Sequence, residues 1–281
     1  MAFTSFCLFG CESTVPDGAW LSFKVVAAGG WLAVLAAMLL IRRLRRPALF
    51  VGYIAVTGLV ALLVPALAAA RESGRRTSCD CRMKIIGMAI LTYADVYKSY
   101  PPAYTTDEKG NRMHSWRVLI LPYLAQEELY EQYDFDEPWN GPHNRLLAAS
   151  MPQIYRCPSD DLSRPGETSY AAVDGPGTVW SGNKGSRPDQ VTDGTSMTIT
   201  VVEAAGDGIH WMEPRDLPFS SLRQGIMTSA RPGLSSPHED ACRVVFGDGH
   251  TTALPSTISV KTLQALVTRA GGERIEVPYH W

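Results

Sequence analysis

The sequence predicts an α+β protein with two N-terminal transmembrane helices, the second continuing as a long helix packed on a small antiparallel β-sheet with loop insertions. Three observations predict this. An uncharged stretch of about 23 residues begins at Ala48 and is long enough to cross a hydrocarbon core of about 30 Å. Apolar residues at helical spacing follow it directly. Short β-like runs between turn residues fill the second half of the chain.

The first 47 residues set the predicted orientation. Residues 1–19 are an extracytoplasmic tail, and residues 20–41 are a first transmembrane helix with Trp20 and Lys24 near its outer end. Residues 42–47 form a short loop with four arginines, which the positive-inside rule assigns to the cytoplasm. Basic residues after the second span favour the opposite orientation, but the arginine density of the short loop takes precedence. The main domain is therefore predicted to be extracytoplasmic.

The second span, residues 48–70, and the start of the main domain, residues 71–281, are predicted to share one helix from Ala48 to Ser99. Pro65 lies inside the lipid-exposed part, where it is expected to kink the helix without ending it. An apolar stripe continues beyond the membrane, and Pro101-Pro102 ends the helix. The stripe consists of Met83, Ile86, Gly87, Ile90, Leu91 and Ala94.

The remaining elements are shorter. His114 to Tyr133 predicts a helix that Pro122 bends or divides, and Asn144 to Met151 a short one. Four β-like runs follow, of which the last two flank Gly247-Asp248-Gly249, a turn suited to a hairpin. A final helix begins after Ser259 and ends before Gly271-Gly272. The four runs are Ser169–Val173, Thr198–Glu203, Arg243–Phe246 and Thr251–Leu254.

The charge distribution argues against nucleic acid as a partner. The formal net charge is −2, but residues 1–76 carry eight Lys and Arg against three acidic residues, and the rest of the chain is acidic. An acidic domain without a basic stripe does not bind a phosphate backbone. The sequence also lacks an HExxH, a GxSxG, a Walker loop and a GxGxxG after a strand, so we expect no enzyme activity.

Several motifs together resemble the large bacterial family of pilin-like proteins, related to type II secretion pseudopilins, whose function is unknown. The similarity covers roughly residues 48–274 and includes the family's C-terminal His-x9-Asp-Gly signature, here His238, Asp248 and Gly249. The other matching segments are Leu63–Ala66, Ala70–Glu72, Arg75–Cys79, Lys84–Gly87, Tyr100–Pro102, Ser115–Tyr123, Cys157–Asp160, Ser169-Tyr170, Gly175–Gly177, Thr192–Ser196 and Val201–Glu203.

The sequence departs from this family at the prepilin cleavage site. Members usually carry a basic leader, a Gly-Phe cleavage site and a Glu five residues into the mature helix. The corresponding positions here are Arg43-Leu44 and Ala48. A buried helix without that carboxylate cannot neutralise a partner's charged terminus in lipid. We therefore expect a chain that is neither processed nor polymerised like a pilin.

The candidate site residues allow more than one interpretation. His238, Asp248 and His250 can form a metal site or an acid–base pair, or Asp248-Gly249 only makes a turn while His238 sits in a packed loop. In an oxidising compartment Cys79 and Cys157 can form a disulfide, although the sequence does not assign the pairing.

No cofactor is expected, with calcium as the one exception that the resemblance suggests. Two acidic segments are the candidate ligands: Asp160-Asp161, and the run Asp134, Asp136 and Glu137. Neither has the regular spacing of a dedicated calcium loop, and solvated acidic turns are the other interpretation.

These features predict a multi-pass protein of the bacterial inner membrane that acts in envelope assembly, secretion or surface interaction. The expected partners are the lipid bilayer and other envelope or secretion-system proteins. The alternative is a solute- or ligand-binding component of a transport system, in which Trp180 and Trp211 near Gly-rich loops contact the ligand. Core packing of both tryptophans is the simpler interpretation of these two residues.

Overall fold

The computed structural model describes residues 47–161, 163–227, 233–238, 241–273 and 275. The predicted tail, first transmembrane helix and nearly all of the cytoplasmic loop, residues 1–46, lie outside this part of the chain. The chain divides into two compact units, Met1–Gly74 and Arg75–Trp281. The division falls four residues after the boundary expected between the second span and the main domain.

Helix α1 spans Pro47–Tyr97, close to the predicted 48–99, and continues through Pro65 without ending. Among the described residues it is the one helix long and apolar enough to cross a membrane. Large apolar side chains between Val51 and Leu67 are exposed. The helix ends where Lys98 adopts a left-handed conformation (φ 57°), just before Pro101-Pro102.

A seven-stranded sheet forms the centre of the second unit. Its strands are β3 (Tyr170–Asp174), β4 (Trp180–Ser181), β5 (Lys184–Gly185), β6 (Ile199–Glu203), β7 (Leu217–Pro218), β8 (Ala241–Phe246) and β9 (Thr251–Pro255). The strand order is β5-β4-β3-β6-β8-β9, and β7 pairs with β3. The pairs β3–β6, β6–β8, β8–β9 and β4–β5 are antiparallel, whereas β4 and β7 each pair with β3 in parallel. The sheet is therefore mixed, not antiparallel as predicted.

Helices cover both faces of this sheet. On one face, Met83 and Ile86 of α1 pack with Val245 of β8. On the other, Leu263 of α4 (Val260–Val267) packs with Val244 of β8. All five residues of β6 are buried because the strand has neighbours on both sides and a helical layer on each face.

The segment from His114 to Tyr133, predicted as a helix that Pro122 bends or divides, is divided, and it contains four elements of which the first is a strand. His114 belongs to β2 (Arg112–Ser115), which pairs with β1 (Tyr104–Thr106). The Ser115 side chain accepts from the Arg117 N–H and so starts α2 (Trp116–Leu119) after the strand. A 3₁₀ helix, Leu121–Leu124, has Pro122 as its second residue, and α3 (Glu127–Gln132) follows. Asn144–Leu147 is also a 3₁₀ helix, where a longer helix was expected.

The C-terminal elements follow the prediction closely. Strands β8 and β9 form the expected hairpin across Gly247-Asp248-Gly249. The Ser259 side chain caps α4 by accepting from the Thr262 N–H. The helix ends at Val267, before the glycine pair expected to end it.

Candidate metal centre

Four side chains of metal-ligating type from distant parts of the chain meet in one buried cluster. They are Cys79, Cys157, Glu203 and His238, and one ligand atom of each lies within 4.8 Å of those of the other three. None of the four residues is more than 4 % exposed. We refer to this group as the Cys/Glu/His cluster.

Each residue of the cluster is positioned by a different part of the fold. Cys79 lies on α1, one turn before the core residue Met83. Cys157 follows the 3₁₀ helix Gln153–Tyr155, and its backbone N–H donates to Ser169 Oγ at 2.8 Å. Glu203 is the last residue of β6, and His238 precedes β8. The cluster therefore joins helix, loop and sheet within the second unit.

The Glu203 carboxylate has one anchored oxygen and one that faces the cluster. Oε2 accepts hydrogen bonds from Ser236 Oγ at 2.7 Å and from the Arg243 N–H at 2.9 Å. Oε1 accepts from the Cys79 thiol at 2.8 Å. Within the described part of the chain, no Lys or Arg side chain forms an ion pair with this carboxylate.

The imidazole of His238 faces two members of the cluster. Its Nε2 lies 3.6 Å from Cys157 Sγ and 4.0 Å from Glu203 Oε1. The His238 backbone N–H donates to Ser236 Oγ at 3.1 Å, so the serine that anchors Glu203 also orients the histidine loop. The Tyr170 hydroxyl lies 3.1 Å from Cys79 Sγ.

The cluster favours a thiolate at Cys157. The contacts with Cys79 and then with His238 lower the pKa of Cys157 to about 7, against the opposing effect of burial. Thiolate is the form of cysteine that binds metals. Two sulfurs, one imidazole nitrogen and one carboxylate oxygen are ligands that suit zinc, and four protein ligands leave no open coordination position for a substrate.

The two cysteines that the sequence suggested as a disulfide pair are neighbours in this cluster. Both are free thiols in the structure. Proximity is required both for a disulfide and for shared coordination of a metal, so the covalent pairing of Cys79 and Cys157 stays a prediction.

The C-terminal signature is divided between two places. His238 belongs to the cluster, whereas Asp248 and Gly249 form the turn at the far end of β8. Asp248 Oδ1 accepts from the His250 N–H at 3.1 Å and lies 2.6 Å from His250 Nδ1. Gly249 has a φ of 84°, a left-handed conformation that favours glycine. His238, Asp248 and His250 therefore do not form one site.

Sequence reasoning missed Glu203 as a member of the cluster. In the sequence this residue ends the β-like run Thr198–Glu203 and a family motif, and neither of these indicated a role in a site. The available signal was a lone acidic residue at the end of an apolar, β-branched strand, Ile-Thr-Val-Val-Glu. An acidic residue there is unusual in a buried strand unless it has a specific partner.

The acidic residues expected as calcium ligands hold loop backbone and hydroxyl groups. The buried Asp160 carboxylate accepts from the Ser163 N–H at 3.1 Å and from Ser169 Oγ at 2.7 Å. Asp134 Oδ1 accepts from the Asp136 N–H at 2.8 Å. Asp160 is buried and so is not a residue of a solvated turn, the second of the two interpretations, and calcium binding stays a prediction.

The two tryptophans considered for ligand contact are core residues. Trp180 is 1 % exposed and donates to the Thr200 carbonyl, and Trp211 is fully buried and donates to the Ala148 carbonyl. Core packing, the simpler interpretation of these two residues, is confirmed, and the alternative in which they contact a ligand at an exposed surface is wrong, because both rings are buried and both N–H groups have partners within the protein.

Comparison with known protein families gives a match over part of the chain, less than half of its length. A family model described as "Protein of unknown function (DUF1559)" matches residues 68–182. The matched region includes Cys79 and Cys157 and ends before Glu203 and the C-terminal signature. No curated protein and no solved structure matches the chain.

Proposed function

We propose that this protein is a non-enzymatic, pilin-like protein anchored in the bacterial inner membrane, whose second unit acts outside the cytoplasm in envelope assembly, secretion or surface interaction. The observation that supports the proposal is that α1 has an exposed apolar part and a part packed in the core. Residues 51–67 are uncharged and expose their large apolar side chains, whereas from Cys79 onward one face of the same helix is buried in the core.

The exposed apolar segment needs a nonpolar environment. Side chains such as Val51, Leu62 and Leu67 are more than half exposed. Each large apolar side chain left in water forfeits about 1.5–3 kcal/mol of burial free energy. A lipid bilayer covers this surface, and a helix satisfies its own backbone hydrogen bonds there.

The sequence supports the proposed membrane orientation of the second unit and the proposed lack of cleavage by a prepilin peptidase. The four arginines of residues 42–47 favour a cytoplasmic loop, which directs the second unit outward. Arg43-Leu44 and Ala48 stand where pilin-like proteins have the cleavage site and the assembly glutamate. The intact helix then serves as a permanent anchor and not as a polymerisation element.

The role is proposed as non-enzymatic because all four side chains of the Cys/Glu/His cluster are buried, so a substrate in solution does not reach them. Two surface depressions elsewhere are open to solvent and contain none of the four cluster residues. One is lined around Tyr133 and His143, the other around Gly175 and Phe219. Neither supplies a specific observation in favour of the alternative role in solute binding.

Topology is tested with alkaline phosphatase, which is active only outside the cytoplasm. We expect activity when it is fused after Trp281 and none when it is fused after Arg46, which serves as the matched cytoplasmic control. The reverse pattern would place the second unit in the cytoplasm and refute the proposal. The intact mass after co-expression with a prepilin peptidase is a second measurement, and cleavage before Leu44 would contradict permanent anchoring.

A further inference from the structure

We propose that the Cys/Glu/His cluster is a structural zinc site in which Cys79, Cys157, Glu203 and His238 supply all four ligands. The inference does not depend on the proposed function, because it rests only on side chains within the second unit. It assigns a metal to residues that the sequence divided between a disulfide, a signature motif and a strand end.

The distances within the cluster are close to those of a tetrahedral zinc site. Zn–S bonds of about 2.3 Å and Zn–N or Zn–O bonds of about 2.0–2.1 Å place neighbouring ligand atoms roughly 3.3–3.8 Å apart. Cys157 Sγ and His238 Nε2 are 3.6 Å apart, and Glu203 Oε1 and His238 Nε2 are 4.0 Å apart. Cys79 Sγ must move away from Glu203 Oε1, now 2.8 Å distant, when an ion separates them.

Hydrogen bonds from neighbouring residues orient the ligand side chains, as they do around metal sites in proteins. Ser236 and the Arg243 N–H hold Glu203 Oε2, which leaves Oε1 directed at the cluster centre. The Tyr170 hydroxyl is placed to donate to the Cys79 thiolate. Such outer hydrogen bonds fix ligand orientation and tune affinity.

Charge also favours a cation at this place. Glu203 is fully buried, and buried charges in proteins are paired or coordinate metals. The part of the chain that the structure describes supplies no Lys or Arg ion pair for it. Zinc binding releases the two thiol protons, and the divalent ion then offsets two of the three negative charges of the thiolates and carboxylate.

The identity of the ligands selects zinc over calcium and magnesium. The latter two prefer oxygen ligands, whereas two thiolates with imidazole in a tetrahedral arrangement indicate zinc. Because four protein ligands occupy the coordination sphere, the ion is structural. It joins four parts of the second unit that are distant in sequence: α1, the loop that holds Cys157, the end of β6 and the loop before β8.

The test is metal analysis of the full-length protein, purified in detergent with a thiol reductant and then passed through metal-free buffer. We expect roughly one zinc per chain in the wild type. The variant Cys79→Ser should lose nearly all of it, whereas Cys81→Ser should retain it. Cys81 is the matched control because it lies two residues away on the same helix and its sulfur is outside the cluster.

Cobalt substitution keeps the test decisive if Cys79→Ser fails to fold. Wild-type protein stripped of metal and loaded with Co²⁺ should show thiolate-to-cobalt charge-transfer absorption, and Tyr170→Phe should weaken zinc affinity about tenfold. Three results would overturn the proposal: absence of the thiolate–cobalt bands, equal zinc in Cys79→Ser and Cys81→Ser, or a Cys79–Cys157 disulfide without zinc in protein isolated without reductant.

Discussion

At the scale of single residues, hydrogen bonds hold the buried ion pair of Arg117 and Asp216 in place in the second unit. The Arg117 guanidinium is fully buried and lies 2.6 Å from Asp216 Oδ1. It also donates to the Tyr170 carbonyl, while Asp216 accepts from the Trp116 indole and the Ala172 N–H. Removing one partner of such a pair costs about 3–5 kcal/mol because the other charge stays buried. This arrangement locks α2 against β3.

His114 illustrates how the fold selects one protonation state. Its Nε2 lies 3.1 Å from the Phe135 carbonyl, which can only accept, so Nε2 carries the proton. Nδ1 then accepts from the Tyr133 hydroxyl at 2.9 Å. Burial lowers the pKa of His114, which favours this neutral form.

We predict that this histidine makes stability fall below neutral pH. An unfolded histidine protonates near pH 6.5, whereas folded His114 holds its neutral form to lower pH. The stabilisation is therefore fully present above about pH 6.5 and is lost as the pH falls through the lowered folded pKa, at up to about 1.4 kcal/mol per pH unit. Urea unfolding of the full-length protein in detergent at pH 7.5 and 5.5 measures the difference in unfolding free energy between the two pH values.

The matched variant for this prediction is His114→Gln, which removes the titrating group. It should show a smaller loss of unfolding free energy between the two pH values than the wild type. The unfolding free energy of this variant is still expected to depend on pH through His210, since burial lowers the pKa of that residue too. Equal pH slopes for wild type and His114→Gln would contradict the assignment.

At the scale of elements, the contact between α1 and the β8–β9 hairpin depends on two glycines. A Cβ added at Gly87 would lie 2.6 Å from Val245 Cγ1, and one at Gly249 would lie 2.7 Å from Leu91 Cδ1. The helix and the hairpin turn therefore approach more closely than side chains at these positions allow. This gives Gly249 of the C-terminal signature a packing role in addition to its turn conformation.

We predict that Gly87→Leu destabilises the second unit by about 2 kcal/mol, because a larger side chain forces α1 away from the sheet. Gly74→Leu is the matched control on the same helix, where an added Cβ meets nothing within 4 Å. That change should be neutral or slightly stabilising, since leucine has the higher helix propensity. Chemical unfolding of both variants tests this, and a similar loss in the two would show that close packing at Gly87 is unimportant.

At the scale of the whole molecule, the interactions described above for the core lie within Arg75–Trp281. Both faces of the sheet and the Cys/Glu/His cluster use residues of this unit alone. The exposed apolar residues between Val51 and Leu67 lie in the other unit. The buried core and the proposed membrane anchor thus belong to separate lengths of chain.

This separation predicts that a fragment beginning at Arg75 folds without detergent. We expect it to be monodisperse in aqueous buffer, to unfold in one cooperative transition, and to bind zinc as the full chain does. Circular dichroism during thermal unfolding and sedimentation analysis provide the measurements, with the detergent-solubilised full chain as the reference. Aggregation or gradual unfolding of the fragment would show that the second unit needs residues before Arg75.

The sequence by itself determined the features that depend on local pattern. Uninterrupted apolar character and helical spacing identified α1 within two residues at either end, and turn chemistry identified the β8–β9 hairpin and the Ser259 cap. Between His114 and Tyr133 the local pattern predicted helical structure bent or divided at Pro122, but it missed that His114 and Ser115 belong to a strand, because the pairing of β1 with β2 is not encoded in this segment alone.

Only the tertiary structure decided the parallel pairings of β3 and the Cys/Glu/His cluster. Strand order depends on which distant segments pair, and no local signal in two-residue strands such as β4 and β7 specifies it. Cys79, Cys157, Glu203 and His238 are separated by 35 to 78 positions in sequence, and each has an ordinary local explanation. Their common chemistry exists only because the folded sheet, loop and helix bring four ligand atoms into one place from which water is excluded.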